Sequence, residues 1–323
     1  MPTCAGTTVR VLIVLLACLL TGAAKGTAPL LFVVNAETAS VAVFDTQKHA
    51  RIGDVKIGPG AAEIAAAPDG LHLYITHPAF GKITVLDKET MTARVFEIGG
   101  SPSGIAAKAG GRVFVTDPGR GTLIVLDAES GNKRAEIKVG RAPAGVAVSL
   151  SHRRAFVANT DDNSVSVVDL DRHIVVATLS VGLAPSALAL AEADDRLYVA
   201  DMNSSDIVVL SARSLQTLGQ VKVGAAPAGV AITADGERVF VSNRRSGTVS
   251  LVDAEALVLL DRIRVASSPG SIVINPAGTR VYVLNAGSSD ISVLDGETGQ
   301  ELNRFDVERG ARSLAITPAG STS

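Results

Sequence analysis

The chain has 323 residues, of which 47% are hydrophobic and 19% charged, with a formal net charge of −2. That balance supports a sizeable core and excludes a disordered chain. Acidic and basic residues are interspersed, so no basic stripe exists of the kind that nucleic acid or an anionic membrane surface requires, and neither is expected as a partner.

Residues 1–24 differ in kind from the rest. Arg10 supplies positive charge, Val11 to Leu20 form an apolar run, and Gly22 and Ala24 occupy the −3 and −1 positions of a cut after Ala24. This reads as a secretory signal peptide, too short for a membrane span of about 20 apolar residues. An uncleaved anchor and lipidation at Cys18, within Leu15-Leu16-Ala17-Cys18, are the alternatives. Both cysteines, Cys4 and Cys18, fall in this segment. Cleavage would leave no thiol for a disulfide, a cysteine nucleophile, a Cys-ligated zinc or an iron–sulfur cluster. The expected location is periplasmic or extracellular, with no membrane span after cleavage. Residues 25–29 form a short linker, 30–318 a repeat region and 319–323 a C-terminal tail.

The repeat region carries one pattern seven times: an aromatic residue flanked by aliphatics, a polar turn, a run of Val and Ile, and a closing residue. It runs from Leu31-Phe32-Val33 to Asp45, Leu73-Tyr74-Ile75 to Asp87, and Val113-Phe114-Val115 to Asp127. It returns from Ala155-Phe156-Val157 to Asp169, Leu197-Tyr198-Val199 to Ser211, Val239-Phe240-Val241 to Asp253, and Val281-Tyr282-Val283 to Asp295. Successive closing residues are 42, then 40, then four times 42 residues apart. A fixed period of this length signals a repeat architecture. Alternation and turn residues divide each unit into four short strands, as in Gly145–Ser149, Ala155–Asn159, Ser164–Asp169 and Ile174–Val181. The closing Asp is expected to accept backbone amides of the next turn.

The strands are apolar on both faces, which suits sheets stacked around an axis. The region opens on a second strand, Leu30–Asn35, and ends on a first strand, Ser313–Thr317. Joining the two completes a ring and hides both sheet edges. The expected fold is therefore an all-β seven-bladed β-propeller of four-stranded antiparallel blades, closed by one C-terminal strand pairing with three N-terminal strands, and monomeric. A solenoid would need polar capping repeats instead.

The segments Tyr198–Leu210 (YVADMNSSDIVVL), Phe240–Asp253 (FVSNRRSGTVSLVD) and Lys222–Gly236 (KVGAAPAGVAITADG) resemble the YVTN-family β-propeller repeat. The resemblance covers almost all of the region after residue 24. WD40, kelch and tryptophan-docking blades are disfavoured by the absence of tryptophan. The resemblance implies an exported YncE-like protein of bacterial or archaeal type, with distant structural kinship to lactonase propellers and to accessory propellers of quinoprotein dehydrogenases.

Ligands of propellers usually approach the face formed by the loops after the second and fourth strands, around the central channel. Residues there that break the repeat are the candidates. Glu63 replaces a recurrent glycine; His77, Asp117 and Asp201 replace a recurrent asparagine. Arg120, Arg141, Arg244, Arg245 and Arg312 lie in or beside these loops, and Phe80 is a loop aromatic without a repeat partner. Glu63, His77 and Arg312, from neighbouring blades, are candidates to converge on an anionic ligand; a hydrated rim of mixed charge is the plain alternative. Of the five histidines only His72 and His77 stand at a ligand-like spacing, and they straddle a strand; no Gly-x-Ser-x-Gly elbow is present, and Asp161-Asp162-Asn163 lacks the spacing of a calcium loop. No catalytic residue, metal or cofactor is expected. The expectation is a non-catalytic exported propeller that binds a protein, glycan or cell-envelope component. A lactonase-like enzyme or an accessory subunit of a periplasmic quinoprotein-type redox enzyme is the alternative.

Overall fold

A computed structural model describes residues 29–108 and 110–317. The signal-peptide, Cys18 and C-terminal-tail readings lie outside the described residues. Seven four-stranded antiparallel sheets account for the chain from Leu30 to Ile316. Blade 1 is built from Ala311–Ile316, Leu30–Asn35, Ser40–Asp45 and Ala50–Lys56, in that spatial order. Blade 2 is Ile64–Ala66, His72–His77, Lys82–Asp87 and Ala93–Glu97, and blade 3 is Ile105–Lys108, Arg112–Asp117, Thr122–Asp127 and Lys133–Lys138. Blade 4 is Pro143–Ser149, Arg154–Asn159, Ser164–Asp169 and Ile174–Ser180, and blade 5 is Pro185–Ala191, Arg196–Asp201, Asp206–Ser211 and Thr217–Lys222. Blade 6 is Pro227–Ile232, Arg238–Asn243, Thr248–Asp253 and Val258–Arg264, and blade 7 is Pro269–Ile274, Arg280–Asn285, Asp290–Asp295 and Glu301–Asp306. Among the described residues no helix is long and apolar enough to cross a membrane.

The second and third strands are buried on both faces, as Ser164–Asp169 shows, whereas the fourth, such as Ile174–Ser180, alternates exposed and half-buried positions. That gradient follows from stacking: the middle strands lie between neighbouring blades and the fourth forms the outer rim. The repeated aromatics Phe32, Tyr74, Phe114, Phe156, Tyr198, Phe240 and Tyr282 are all at most 3% exposed. Each contributes roughly 1.5–3 kcal/mol of burial. Core side chains gather in seven clusters, one per blade interface. One joins Leu31, Val33 and Phe44 of blade 1 to Tyr282, Ile291 and Val293 of blade 7, which closes the ring.

The closing strand pairs Leu31 with Ile316 and Asn35 with Ala311 across a bulge. It starts two residues before the expected Ser313, as the first strand of blade 4 starts at Pro143 rather than Gly145, because a bulge lets the residues before the alternating run rejoin the ladder. The closing aspartates behave as expected. Asp45, Asp87, Asp127, Asp169, Asp253 and Asp295 each accept two amides of the following turn at 2.8–3.1 Å. Ser211 does the same with one bond, from Ser214 N at 2.9 Å.

Candidate functional site

The first strands of successive blades lie against one another and line the central channel. Two adjacent rungs of these strands hold small residues almost throughout. One rung reads Gly104, Gly145, Ala187, Gly229, Ser271 and Ser313, with Glu63 as its single long side chain. The next reads Ala62, Ser103, Ala144, Ser186, Ala228 and Gly270, with Arg312 as its single long side chain. Close packing explains the small residues: a Cβ on Gly229 would lie 2.6 Å from Gly270 O, and one on Gly104 would collide with Ala144 O. Hydroxyls sew the belt together, with Ser271 Oγ accepting Leu314 N at 3.0 Å and Thr116 Oγ1 donating to Ala144 O at 2.7 Å.

Glu63 is exposed to channel solvent, yet protein encloses it on every side. Its Oε2 accepts a hydrogen bond from Ser313 Oγ of blade 1 at 2.8 Å. Enclosure raises its proton affinity above the ordinary carboxylate range, while Ser313 and the Arg244 guanidinium oppose that rise. Arg244 belongs to blade 6, three blades away around the ring, so its charge acts on Glu63 from across the channel. The Arg244 side chain lies over Gly270 of blade 7 on its way inward. Arg312 is exposed beside Ser313 and, among the described residues, forms no ion pair. The structure thus gathers Glu63, Arg244 and Arg312, with Ser313, around the channel.

His77 does not join them. It ends the second strand of blade 2 at 3% exposure, with Nδ1 2.8 Å from Pro59 O and Nε2 2.9 Å from Thr84 Oγ1. A carbonyl only accepts, so Nδ1 carries the proton and Nε2 accepts the Thr84 hydroxyl. Burial depresses its basicity, aided by Lys82 and opposed by Pro59, and the ring stays neutral. This is the role of the asparagines elsewhere. Asn159 Oδ1 accepts Gly140 N at 3.0 Å while its Nδ2 donates to Ser164 and Ser166 at 3.1 and 2.9 Å, and Asn243 repeats the set with Gly224, Thr248 and Ser250. The position is a latch between the loop before a blade and its third strand.

Asp117 and Asp201 occupy the same latch and are fully buried. Asp117 accepts Arg120 N at 3.1 Å and Ser101 N at 3.2 Å, and its Oδ2 lies 3.7 Å from Arg120 Nε. A Cβ on Gly100, whose φ is +70°, would collide with that carboxylate, so only glycine fits there. Asp201 has no hydrogen-bond partner for either carboxylate oxygen among the described residues. Burial drives it up to about 7; the Gly182 N–H, which approaches without hydrogen-bond geometry, and Lys222 offset only part, and Asp206 adds to the rise.

The remaining candidates are surface residues. Arg120 reaches Glu136 at 3.7 Å, and Arg141 grips Asp162 at 2.5 Å through Nε, so the Asp161-Asp162 turn is tied to the neighbouring loop. Arg245 is exposed, its amide bonded to Ala225 O at 3.1 Å. Phe80 is 49% exposed in the 3-10 turn Pro78–Phe80 and covers Gly60, whose Cβ would lie 2.7 Å from its ring. Two participants escaped the sequence reading. Ser313 looks like a belt spacer until its register with Glu63 is known, and Asp206 looks like a turn residue until it is seen opposite Asp201. Aligning the third strands by their first residue, where Asp206 stands beside Ser164 and Thr248, carries the only sequence signal for the latter.

No protein-family model matches the chain, and no curated protein matches it significantly. Solved structures do. A chain of hydrazine synthase from Kuenenia stuttgartiensis superposes with a TM-score of 0.70 at 18% identity, covering 79% of this chain and 89% of that one. A functionally unknown protein from Desulfotomaculum acetoxidans reaches 0.77 at 13% identity, covering 90% and 99%. Apo AztD from Citrobacter koseri reaches 0.66 at 12% identity, covering 92% and 100%. At these identities the likeness is one of fold: the chain shares the seven-bladed propeller with proteins of different roles.

Proposed function

We propose that the chain is an exported, YVTN-type, non-catalytic propeller that binds a protein, glycan or cell-envelope component at the channel face. The observation that carries this reading is the encounter of Glu63 and Arg244 across the channel, with Arg312 as the other long side chain of the belt. Two guanidinium groups and one carboxyl group, set among small residues, suit the tip of a partner that carries an anionic group next to an N–H or O–H donor. The Ser313 hydroxyl on Glu63 has no imidazole beside it, since His77 is held elsewhere, and this supports binding over turnover.

The test uses purified protein as bait on solubilised envelope fractions, comparing the natural chain with Glu63→Gln/Arg244→Ala/Arg312→Ala. Partners retained by the natural chain and lost by the triple variant support the reading; equal capture overturns it. An accessory role in a redox enzyme is the second reading, favoured by the likeness to a hydrazine synthase chain. It predicts that the captured partner is a redox protein whose turnover rises when the propeller is added.

A further inference from the structure

Blades 5 and 7 differ at one cross-strand pair. In blade 7, Asn285 faces Asp290, and its Nδ2 donates to Asp290 Oδ1 at 2.7 Å and to Ser292 Oγ at 2.9 Å. In blade 5 the pair in the same register is Asp201 and Asp206, and Val208 stands where Ser292 does. Both carboxyl groups are 0% exposed. Asp206 Oδ2 is held by Lys222 Nζ at 2.6 Å and Gln220 Nε2 at 2.5 Å. Asp206 Oδ1 and both oxygens of Asp201 have no partner among the described residues.

Two ionised carboxylates facing each other in a dry site, with one ammonium between them and solvent, would leave an unpaired buried charge. One proton removes it. A protonated Asp201 is the near-isostere of asparagine, and its O–H can donate to Asp206 Oδ1 as the Asn285 amide donates to Asp290 Oδ1. We propose that Asp201 and Asp206 hold one proton between them, with Asp201 as the donor, so that blade 5 is latched by an acid proton where blade 7 is latched by an amide.

The groups facing Asp201 are few. Asp206 faces it from the third strand and Lys222 acts from the fourth, while the loop before the first strand offers only the Gly182 amide. Ser204 Oγ accepts Leu183 N at 2.6 Å and makes no hydrogen bond to Asp201, and Arg262 of blade 6 bonds Val223 O at 3.4 Å. Asp201 titrates near 7 when folded and in the ordinary carboxylate range when unfolded. A raised folded value contributes stability that is complete below the unfolded range, fades as pH rises toward 7 and is gone above it. The turn Met202–Ser205, on the channel face, sits directly over this pair and is the segment that ionisation would loosen.

The test compares melting temperatures of the full chain and of Asp201→Asn from pH 5 to 8.5, because the difference between the two cancels the other titrating groups. A melting-temperature difference that moves in favour of the variant by several degrees between pH 5 and pH 8, and no further above it, is expected. A gap that does not change with pH overturns the proposal. Infrared spectra at pH 5.5 should show a protonated carboxyl band that Asp201→Asn lacks, and an identical band in both proteins overturns it too. Should Asp201→Asn fail to fold, Asp206→Asn keeps the test: its amide would donate to Asp201, and the pH step should move down by roughly one unit or more. A step left in place by that change, or stabilisation at pH 8 by added calcium that Asp201→Asn abolishes, would show a different occupant and overturn the shared proton.

Discussion

The two faces of the ring are built on opposite rules. On the face away from the channel loops, six aspartates make the same pair of bonds to the same two amides, and the one replacement, Ser211, keeps half of the arrangement. On the channel face the blades diverge: the latch position holds asparagine in four, aspartate in two and histidine in one, and the belt carries a single carboxylate and a single guanidinium on its two rungs. Uniformity marks parts that every blade needs in order to fold. Singularity is where a ring of equivalent units gains a direction, and Glu63 and Arg312 mark the side of the channel formed by blades 1 and 2.

The largest expected effect tests the ring on which both faces depend. Deleting the residues after Gly310 removes the strand Ala311–Ile316, exposes the edge of Leu30–Asn35 and should abolish soluble expression; a soluble, cooperatively melting product would refute closure within blade 1. Next comes the uniform face. Asp295→Ala loses two amide bonds and should cost about 1–2 kcal/mol, read by denaturant unfolding at pH 7. The Asp295 carboxyl is held below its usual range chiefly by the Thr298 amide, so its contribution is present above that range and lost as pH falls through the folded value, and the variant should melt with less acid sensitivity there.

His77→Asn is a smaller change, since it installs the residue used by four other blades opposite a retained hydroxyl at Thr84. At pH 7.5 its stability should lie within about 1 kcal/mol of the natural chain. His77 has depressed basicity, so the natural chain should lose stability as pH falls below about 6.5, and the variant should lose less; thermal melts at pH 7.5 and 5.5 read the difference. The smallest effect belongs to the singular face: Arg245→Ala should change stability by less than about 0.5 kcal/mol. A large loss there would mean that the channel face, too, is built for folding.

The fold was legible because each blade repeats its own evidence: the period, the aromatic position, the turn aspartate and the complementary ends all point to one ring. The site was less so, because a column of the repeat shows which residue stands out and not what faces it across the sheet. His77 breaks its column, yet with Thr84 across from it the pair matches Asn159 with Ser166. Where that third-strand residue is apolar, as Ile124 and Val208 are, the latch is an aspartate. In blade 1 that third-strand residue is Ala42 and the latch is still Asn35, whose amide turns instead to Glu308 O and Arg309 O at 3.1 and 2.8 Å. The contact of Arg244 with the field of Glu63 had no sequence signal, since it crosses the open middle of the ring.

The pairing of Leu31 with Ile316 also orders events in time. Six blades are contiguous in sequence and can zip as local hairpins while the polypeptide is being made. Blade 1 alone must wait for its fourth member, and bringing ends nearly the whole length of the region together carries a loop-closure entropy that no local contact offsets. Until then the Leu30–Asn35 edge stands open to any passing strand, its own or a neighbour's. The strand Ala311–Ile316 therefore acts as a lock: its arrival converts a sticky arc into a ring, and the interval before it is when the protein is most in need of a chaperone.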